Sequence, residues 1–243
     1  MAGALELEVV DDGPALARAS ADLVCDLVEE RPDAVLVPAT GETPLGLYAE
    51  LVARRRAGSF DPSAVTIVQL DDYLDVGADD RRSLFGWMHR ALLEPLEIGP
   101  GHVLRLPTDG DVDACAAFDE GLVARGGIDL AILGLGDNGH LGFNEPPAAR
   151  GTATRVVDLT PATIAANARY WGSPDAVPTR AVTVGLGPLL ASHTVLLLVS
   201  GGRKHDILRR ALEGPIGDDV PASFLREADA DVIVIADRAA WNG

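Results

Sequence analysis

The chain has 243 residues, 47% of them hydrophobic and three of them Trp, enough apolar material for one sizeable α/β core across 1–243. Its formal net charge of −17 argues against nucleic acid or an anionic membrane as the main partner, so any anionic ligand needs a locally basic pocket. No stretch approaches the length of a membrane span, and the start of the chain (Met1 to Glu6) lacks the basic and apolar regions of a signal peptide. Cys25 and Cys115, without C-x-x-C spacing, read as buried small hydrophobes in a reducing compartment, so a cytoplasmic protein is expected.

In chain order, the first helix starts near Asp12-Gly13-Pro14, with Pro14 early in its first turn, and runs to about Glu30. A short buried strand, Ala34 to Val37, leads through a polar loop to a helix from Pro44 to Arg56. A second strand, Val65 to Leu70, is followed by a polar turn and a helix from about Ser83 to Leu93. Val112 to Arg125 is helical and Leu130 to Leu135 is a strand. A short helix near Thr160 to Tyr170 lies between two breaker-rich segments, Pro146 to Gly151 and Gly172 to Pro178, expected to be mobile surface. Strands follow at Ala181 to Val184 and Val195 to Val199, then a helix from Lys204 to Leu212 and a last strand at Val232 to Ile235. This alternation predicts an α/β fold, an open, mostly parallel, doubly wound Rossmann-like sheet with helices on both faces.

The most informative stretch runs from Asp129 to Pro146. An apolar strand ends in glycines, which release His140, and Glu145 follows five residues later. Gly134, Gly136 and Gly139 spell G-x-G-x-x-G, with Asp158 about twenty residues on, but a dinucleotide fingerprint needs a helix beginning at the third glycine. Here the chain runs through Gly142 into Pro146-Pro147, which cannot sit inside a helix, so a nicotinamide site is not expected.

Four strands lead into chemically loaded loops: Ala39 to Pro44, Asp71-Asp72-Tyr73, Leu135 to His140, and Ser200 to Lys204. In a mostly parallel sheet these ends share one edge and converge on one crevice. Each loop also has a plainer reading. Thr40-Gly41-Glu42-Thr43-Pro44 is either a strand-to-helix turn with Thr43 as N-cap or a phosphate cradle at a helix N-terminus. Asp71-Asp72 is a solvated turn or contains a base, and Lys204 is a surface lysine or a phosphate partner. His140 is a structural histidine or a group that moves protons near neutral pH, although a glycine-rich loop gives it little reason to be there for packing.

These residues resemble the glucosamine-6-phosphate deaminases over nearly the whole chain. The resemblance rests on Ala39 to Tyr48, Leu70 to Tyr73, Gly136 to Pro146, Leu159 to Tyr170, Ala181 to Gly187 and Ser200 to Lys204. Phe143-Asn144-Glu145-Pro146 is the discriminating piece, because the related 6-phosphogluconolactonases share the fold and the Gly-His element but usually continue differently. The resemblance implies that Asp71 is the general base and that His140 opens the sugar ring. It also implies that Glu145 orients His140 with Asn138 in its network, and that Arg169 and Lys204 bind phosphate with the help of the Thr40, Gly41, Glu42 and Thr43 loop. It implies hydrolysis of an iminium by water with no metal or organic cofactor, a phosphosugar substrate, and a mobile lid at about 156–180. A monomer or a homo-oligomer fits equally.

The chain departs from the family in four places. Glu42 stands where relatives usually carry a small residue, and a carboxylate there repels phosphate unless it points to solvent or pairs with a cation. Asn138 replaces an aspartate found in some members and adds no negative charge beside His140. Ala148 and Val157 replace the serine and lysine of allosterically activated members, although Arg155 is retained, so no activation by N-acetylglucosamine 6-phosphate is expected. Ser223 to Ala228 replaces the usual Leu-Gln-x-His ending. Galactosamine 6-phosphate deamination, 6-phosphogluconolactone hydrolysis, and a non-catalytic sugar-phosphate effector domain are the alternatives. The last is disfavoured because Asp71 is present and because the chain is acidic and begins almost at once with the catalytic domain.

Overall fold

The computed structural model describes residues 3–77 and 80–243; Met1 and Ala2, the first residues of the segment read above as lacking signal-peptide features, lie outside them. Seven strands form a fully parallel sheet. They are β1 (Leu5–Val10), β2 (Val35–Pro38), β3 (Thr66–Val68), β5 (Val103–Leu104), β6 (Leu130–Gly134), β9 (Thr194–Val199) and β10 (Asp231–Asp237). Their order across the sheet is β1-β10-β9-β6-β2-β3-β5. From β2 the chain winds outward through β3 to β5, and from β6 it winds the other way through β9 to β10. The winding reverses between the adjacent strands β2 and β6, and a crevice opens beyond their carboxyl ends, where open α/β sheets hold ligands.

Strand periodicity explains the two cores. Val35 and Val37, Ala131 and Leu133, and Val195, Leu197 and Val199 point to one face, while Leu36, Leu130, Ile132, Leu196 and Leu198 point to the other. The second face is covered by α1 (Gly13–Glu30), α2 (Leu45–Ala57) and α3 (Leu84–Met88), the last continued by a π-helical turn over His89–Leu93. The first face is covered by α4 (Val112–Val123), α6 (Leu186–Leu190), α7 (His205–Glu213) and α8 (Arg238–Asn242). In α1, Leu16, Ser20, Val24 and Val28 recur every four residues and are buried, and Asp12 caps the helix by accepting from the Ala15 N–H at 2.8 Å. Among the described residues no helix is long and apolar enough to cross a membrane.

The largest departure from expectation is a second sheet. Asp71–Tyr73, expected as a polar turn, is the strand β4. It pairs antiparallel with β8 (Arg180–Thr183), which pairs antiparallel in turn with β7 (Arg155–Asp158). β8 is therefore not part of the parallel sheet. β1, β5 and β7 were not foreseen: β1 is an edge strand without buried residues, and β5 has only two residues. The small sheet and α5 (Pro161–Trp171) pack around Tyr73, Phe143, Leu159, Val177 and Ala181, a core separate from the two main ones. The flanking segments are partly anchored, since Ala148 and Val177 are buried. Cys25 is half-buried rather than buried, Cys115 is buried, and both are free thiols.

Candidate active site

All four loaded loops reach one cleft of about 690 Å³ beyond the carboxyl ends of β2 and β6. Thr40, Gly41, Glu42, Thr43, Asp71, Asn138, His140, Arg169 and Lys204 line it. Glu145 does not; it lies behind His140, with its side chain 7% exposed.

The Asp71-Asp72 pair separates by partner. Asp72 accepts from Gln69 Nε2 at 2.7 Å, from the backbone N–H groups of Tyr73 and Leu84 at 2.8 Å each, and from that of Phe85 at 3.2 Å. With Ser83 it caps α3, which is a structural task. Asp71 lines the cleft yet is 5% exposed, and among the described residues its Oδ1 has no hydrogen-bond partner. Burial, reinforced by the neighbouring Asp72 charge, pushes its carboxyl up to about 8. Strand alternation explains the split, because adjacent residues of β4 face opposite ways.

The histidine loop is a tight turn in which the Gly136 N–H donates to the His140 carbonyl and the Gly139 N–H to the Gly136 carbonyl, both at 3.0 Å. The imidazole lies directly against Gly136, where a Cβ would collide with the ring. A Cβ at Gly142 would stand 3.4 Å from Asp71 Oδ2, so this loop passes beside the buried carboxylate. Asn138 Oδ1 accepts from the His140 backbone N–H at 3.2 Å and lies 2.7 Å from Nδ1. Nδ1 therefore carries the ring proton, which leaves Nε2 with a lone pair. Burial lowers the His140 pKa; Glu145 and Asp137 push it up, and Lys204 lowers it further. Glu145 Oε1 is 3.9 Å from Nδ1, too far for a hydrogen bond, so Glu145 acts on the ring through charge. Its oxygens are engaged by the N-terminus of α5: the Thr160 N–H donates at 3.2 Å, and the Thr163 hydroxyl also donates.

The phosphate-loop question turns on how α2 begins. The helix starts at Leu45, and its N-cap is Pro44, which offers no side-chain acceptor. The expectation of Thr43 as N-cap and Pro44 as first helical residue is thus corrected by one position. The first N–H groups of α2 are left without a side-chain cap where the loop meets the cleft, the arrangement that suits an anion. Glu42 is turned to Arg169 of α5, 3.1 Å away, and the Tyr170 hydroxyl reaches it at 3.5 Å. Lys204 lies in a 3-10 turn (Gly202–Lys204) before α7 and pairs with Asp137.

Several lining residues escaped sequence reasoning. Arg81, Arg82 and Arg90 add positive charge at the mouth, and Arg82 sits over the Trp171 ring at 4.5 Å while pairing with Asp80 at 2.7 Å. The usable signal was the Arg81-Arg82 pair just ahead of a helix start at Ser83 in a very acidic chain. Asp237, at the end of β10, accepts from Ser200 Oγ at 2.5 Å and from the Gly201 N–H at 3.0 Å, which positions the loop carrying Lys204. Among the described residues no cluster of three or more His, Cys, Asp or Glu could hold a metal.

A sheet wound in two directions thus brings a buried carboxylate, an imidazole and paired cations together at its switch point, as in an α/β enzyme. The profile of the family described as glucosamine-6-phosphate isomerases/6-phosphogluconolactonase matches residues 13–234, and the chain belongs to that family. It is 37% identical to a glucosamine-6-phosphate deaminase of Cellvibrio japonicus, over 97% of this chain and 90% of that one. It is 39% identical to glucosamine-6-phosphate deaminase 2 of Bacillus subtilis, over 91% of this chain and 90% of that one. The solved structure of a monomeric glucosamine-6-phosphate deaminase, described as a missing link of the NagB superfamily, superimposes with a TM-score of 0.92 at 34% identity, covering 97% and 98% of the two chains. The 6-phosphogluconolactonase of Trypanosoma cruzi, at 18% identity and a TM-score of 0.77, shares the fold.

Proposed function

We propose that this protein converts glucosamine 6-phosphate and water to fructose 6-phosphate and ammonia, as a cytoplasmic enzyme of amino-sugar catabolism using neither metal nor organic cofactor. One observation carries the reading: Asp71, a buried carboxyl with an oxygen that has no partner among the described residues, opens into the same cleft as His140, Arg169 and Lys204.

His140 Nε2 takes the proton of the sugar's O1 hydroxyl and returns a proton to the ring oxygen, breaking the C1–O5 bond to give the open-chain aldehyde. Nδ1–H stays on Asn138 throughout and holds the tautomer. Asp71 then removes the C2 proton while O1 takes one proton from the substrate's ammonium, forming an enaminol; Asp71 delivers the C2 proton to C1, leaving an iminium at C2. Water adds to that carbon and ammonia leaves, giving the ketone. The substrate's ammonium beside Asp71 favours the ionised carboxylate that the first transfer needs. Phosphate held by Arg169, Lys204 and the start of α2 fixes C1 and C2 against Asp71. The segment at about 156–180 serves as a lid over this site, and Glu145 is a positioning residue that acts on His140 through charge and accepts from the lid helix. The family relation and the full-length likeness to deaminases support this reading over a lactonase.

The test measures ammonium release and fructose 6-phosphate formation from glucosamine 6-phosphate, with galactosamine 6-phosphate alongside. Turnover of the gluco epimer is expected, with kcat/KM rising with pH toward about 8 as Asp71 ionises. Turnover of neither sugar by folded protein would overturn it.

A further inference from the structure

Both proposed phosphate cations are already occupied in the free protein. Arg169, from α5, is held by Glu42 of the β2–α2 loop at 3.1 Å, and Lys204, from the turn before α7, is held by Asp137 of the β6 loop. In each pair the carboxylate comes from a different loop than its cation, across the same cleft. Lys204 holds the Asp137 carboxyl below its usual range. The two carboxylates cancel the two cations, in a molecule whose net charge of −17 already repels anions.

Resting on the phosphosugar reading above, we propose that Glu42 and Asp137 are internal counter-anions that make the site selective for a doubly charged phosphate. A ligand must displace both carboxylates to engage both cations. A dianion satisfies the two freed cations, whereas a monoanion satisfies one and leaves the second with its carboxylate. The side chains of Glu42 and Asp137 are 66% and 84% exposed, so each can swing into water once displaced, and exposed ion pairs are weak enough to yield. The structural assignment also resolves how a carboxylate is tolerated in the phosphate loop: it is turned onto Arg169 and Tyr170.

A phosphate monoester loses its second proton near pH 6, so binding weakens as pH falls through about 6. Removing the counter-anions relaxes this requirement. The experiment titrates wild type, Glu42→Gln, Asp137→Asn and the double variant calorimetrically with fructose 6-phosphate, and with glucosamine 6-phosphate and glucosamine 6-sulfate as a dianion–monoanion pair. Asp33→Asn, an exposed carboxylate just ahead of β2 at the opposite end of the sheet, controls for net charge. The double variant is expected to bind fructose 6-phosphate about three- to tenfold more tightly. Its preference for the 6-phosphate over the 6-sulfate is expected to shrink at least about threefold, and the loss of affinity below pH 6 to become shallower. Unchanged affinity, an unchanged preference, or equal tightening in Asp33→Asn would each overturn the role. Wild type that binds fructose 6-phosphate but turns over no amino sugar would reject the deaminase reading while the affinities still decide the counter-anions. Protein that binds no phosphosugar would overturn both.

Discussion

Asp71 and Asp72 are chemically identical neighbours that the structure assigns opposite duties, and the difference is measurable. Asp72 satisfies three backbone N–H groups and Gln69, so Asp72→Ala leaves buried donors unpaired and should lower the unfolding free energy by about 2–4 kcal/mol. Asp71 makes no such contribution. Its carboxyl ionises at about 8 in the folded chain against 3.8 for the free group, so the folded state holds a proton that the unfolded state has released. Stability from this residue is complete below about pH 4 and declines by up to about 1.4 kcal/mol per pH unit until pH 8 is passed. Asp71→Asn should abolish that slope and be more stable than wild type at pH 8 by urea denaturation, while deamination falls about 10²- to 10⁴-fold. A variant that is both destabilised and inactive would move Asp71 into the structural class with Asp72. At Gly136 the constraint is steric. Gly136→Ala should fold but displace the imidazole, cutting turnover while leaving fructose 6-phosphate affinity near that of wild type.

At the scale of elements, α5 stands apart. It is eleven residues long and buries only Thr163, whereas α1 buries six of eighteen. Its side chains close a small core with Tyr73 and Phe143, and its first turn is held by Thr160 as N-cap and by the carboxylate of Glu145. Little apolar burial means a low local opening free energy. Amide hydrogen exchange in Pro161–Trp171 should therefore be faster than in α1, α2 or α4, and fructose 6-phosphate should slow it by recruiting Arg169. Exchange as slow as in α1 would remove the basis for a lid. The neighbouring strands matter for a different reason. β4 carries Asp71, and its antiparallel pairing with β8 sets Asp71 opposite Thr183, whose hydroxyl accepts from the Phe143 N–H at 3.2 Å. The small sheet thus links Asp71 to the loop that carries Glu145.

For the whole molecule, the reversal of winding between β2 and β6 gathers loops from distant parts of the chain at one edge. The net charge makes that edge unusual: in a chain with 37 acidic and 20 basic residues, Arg81, Arg82, Arg90, Arg169 and Lys204 all line it, with Arg82, Arg169 and Lys204 each held by a carboxylate. The segment after Phe143-Asn144-Glu145-Pro146 offers a buried Ala148 and a partly buried Val157 rather than the serine and lysine expected of an activated relative. Arg155 is tied to the Phe143-Asn144-Glu145-Pro146 segment, donating to Asn144 Oδ1 at 2.8 Å. Substrate saturation should accordingly be hyperbolic and unaltered by N-acetylglucosamine 6-phosphate; a sigmoidal curve made hyperbolic by that ligand would refute this.

Most of the architecture and the loops that meet at the cleft were legible in the sequence, and the reasons are local. Short unbroken apolar runs mark β2, β6, β9 and β10, and Asp12-Gly13-Pro14 marks a helix start, because these signals depend on neighbours a few residues apart. The glycines before His140 announced a loop without a helix, and none forms there. What stayed hidden depends on pairing between distant segments. Asp71-Asp72-Tyr73 is a strand only because β8 lies beside it, and only that pairing decides which aspartate enters the cleft. Glu42 is harmless to a phosphate loop only because α5 places Arg169 against it. The sequence by itself determined the residues and the order of the elements; the tertiary structure alone decided which charges meet, because that depends on how the sheets and helices pack.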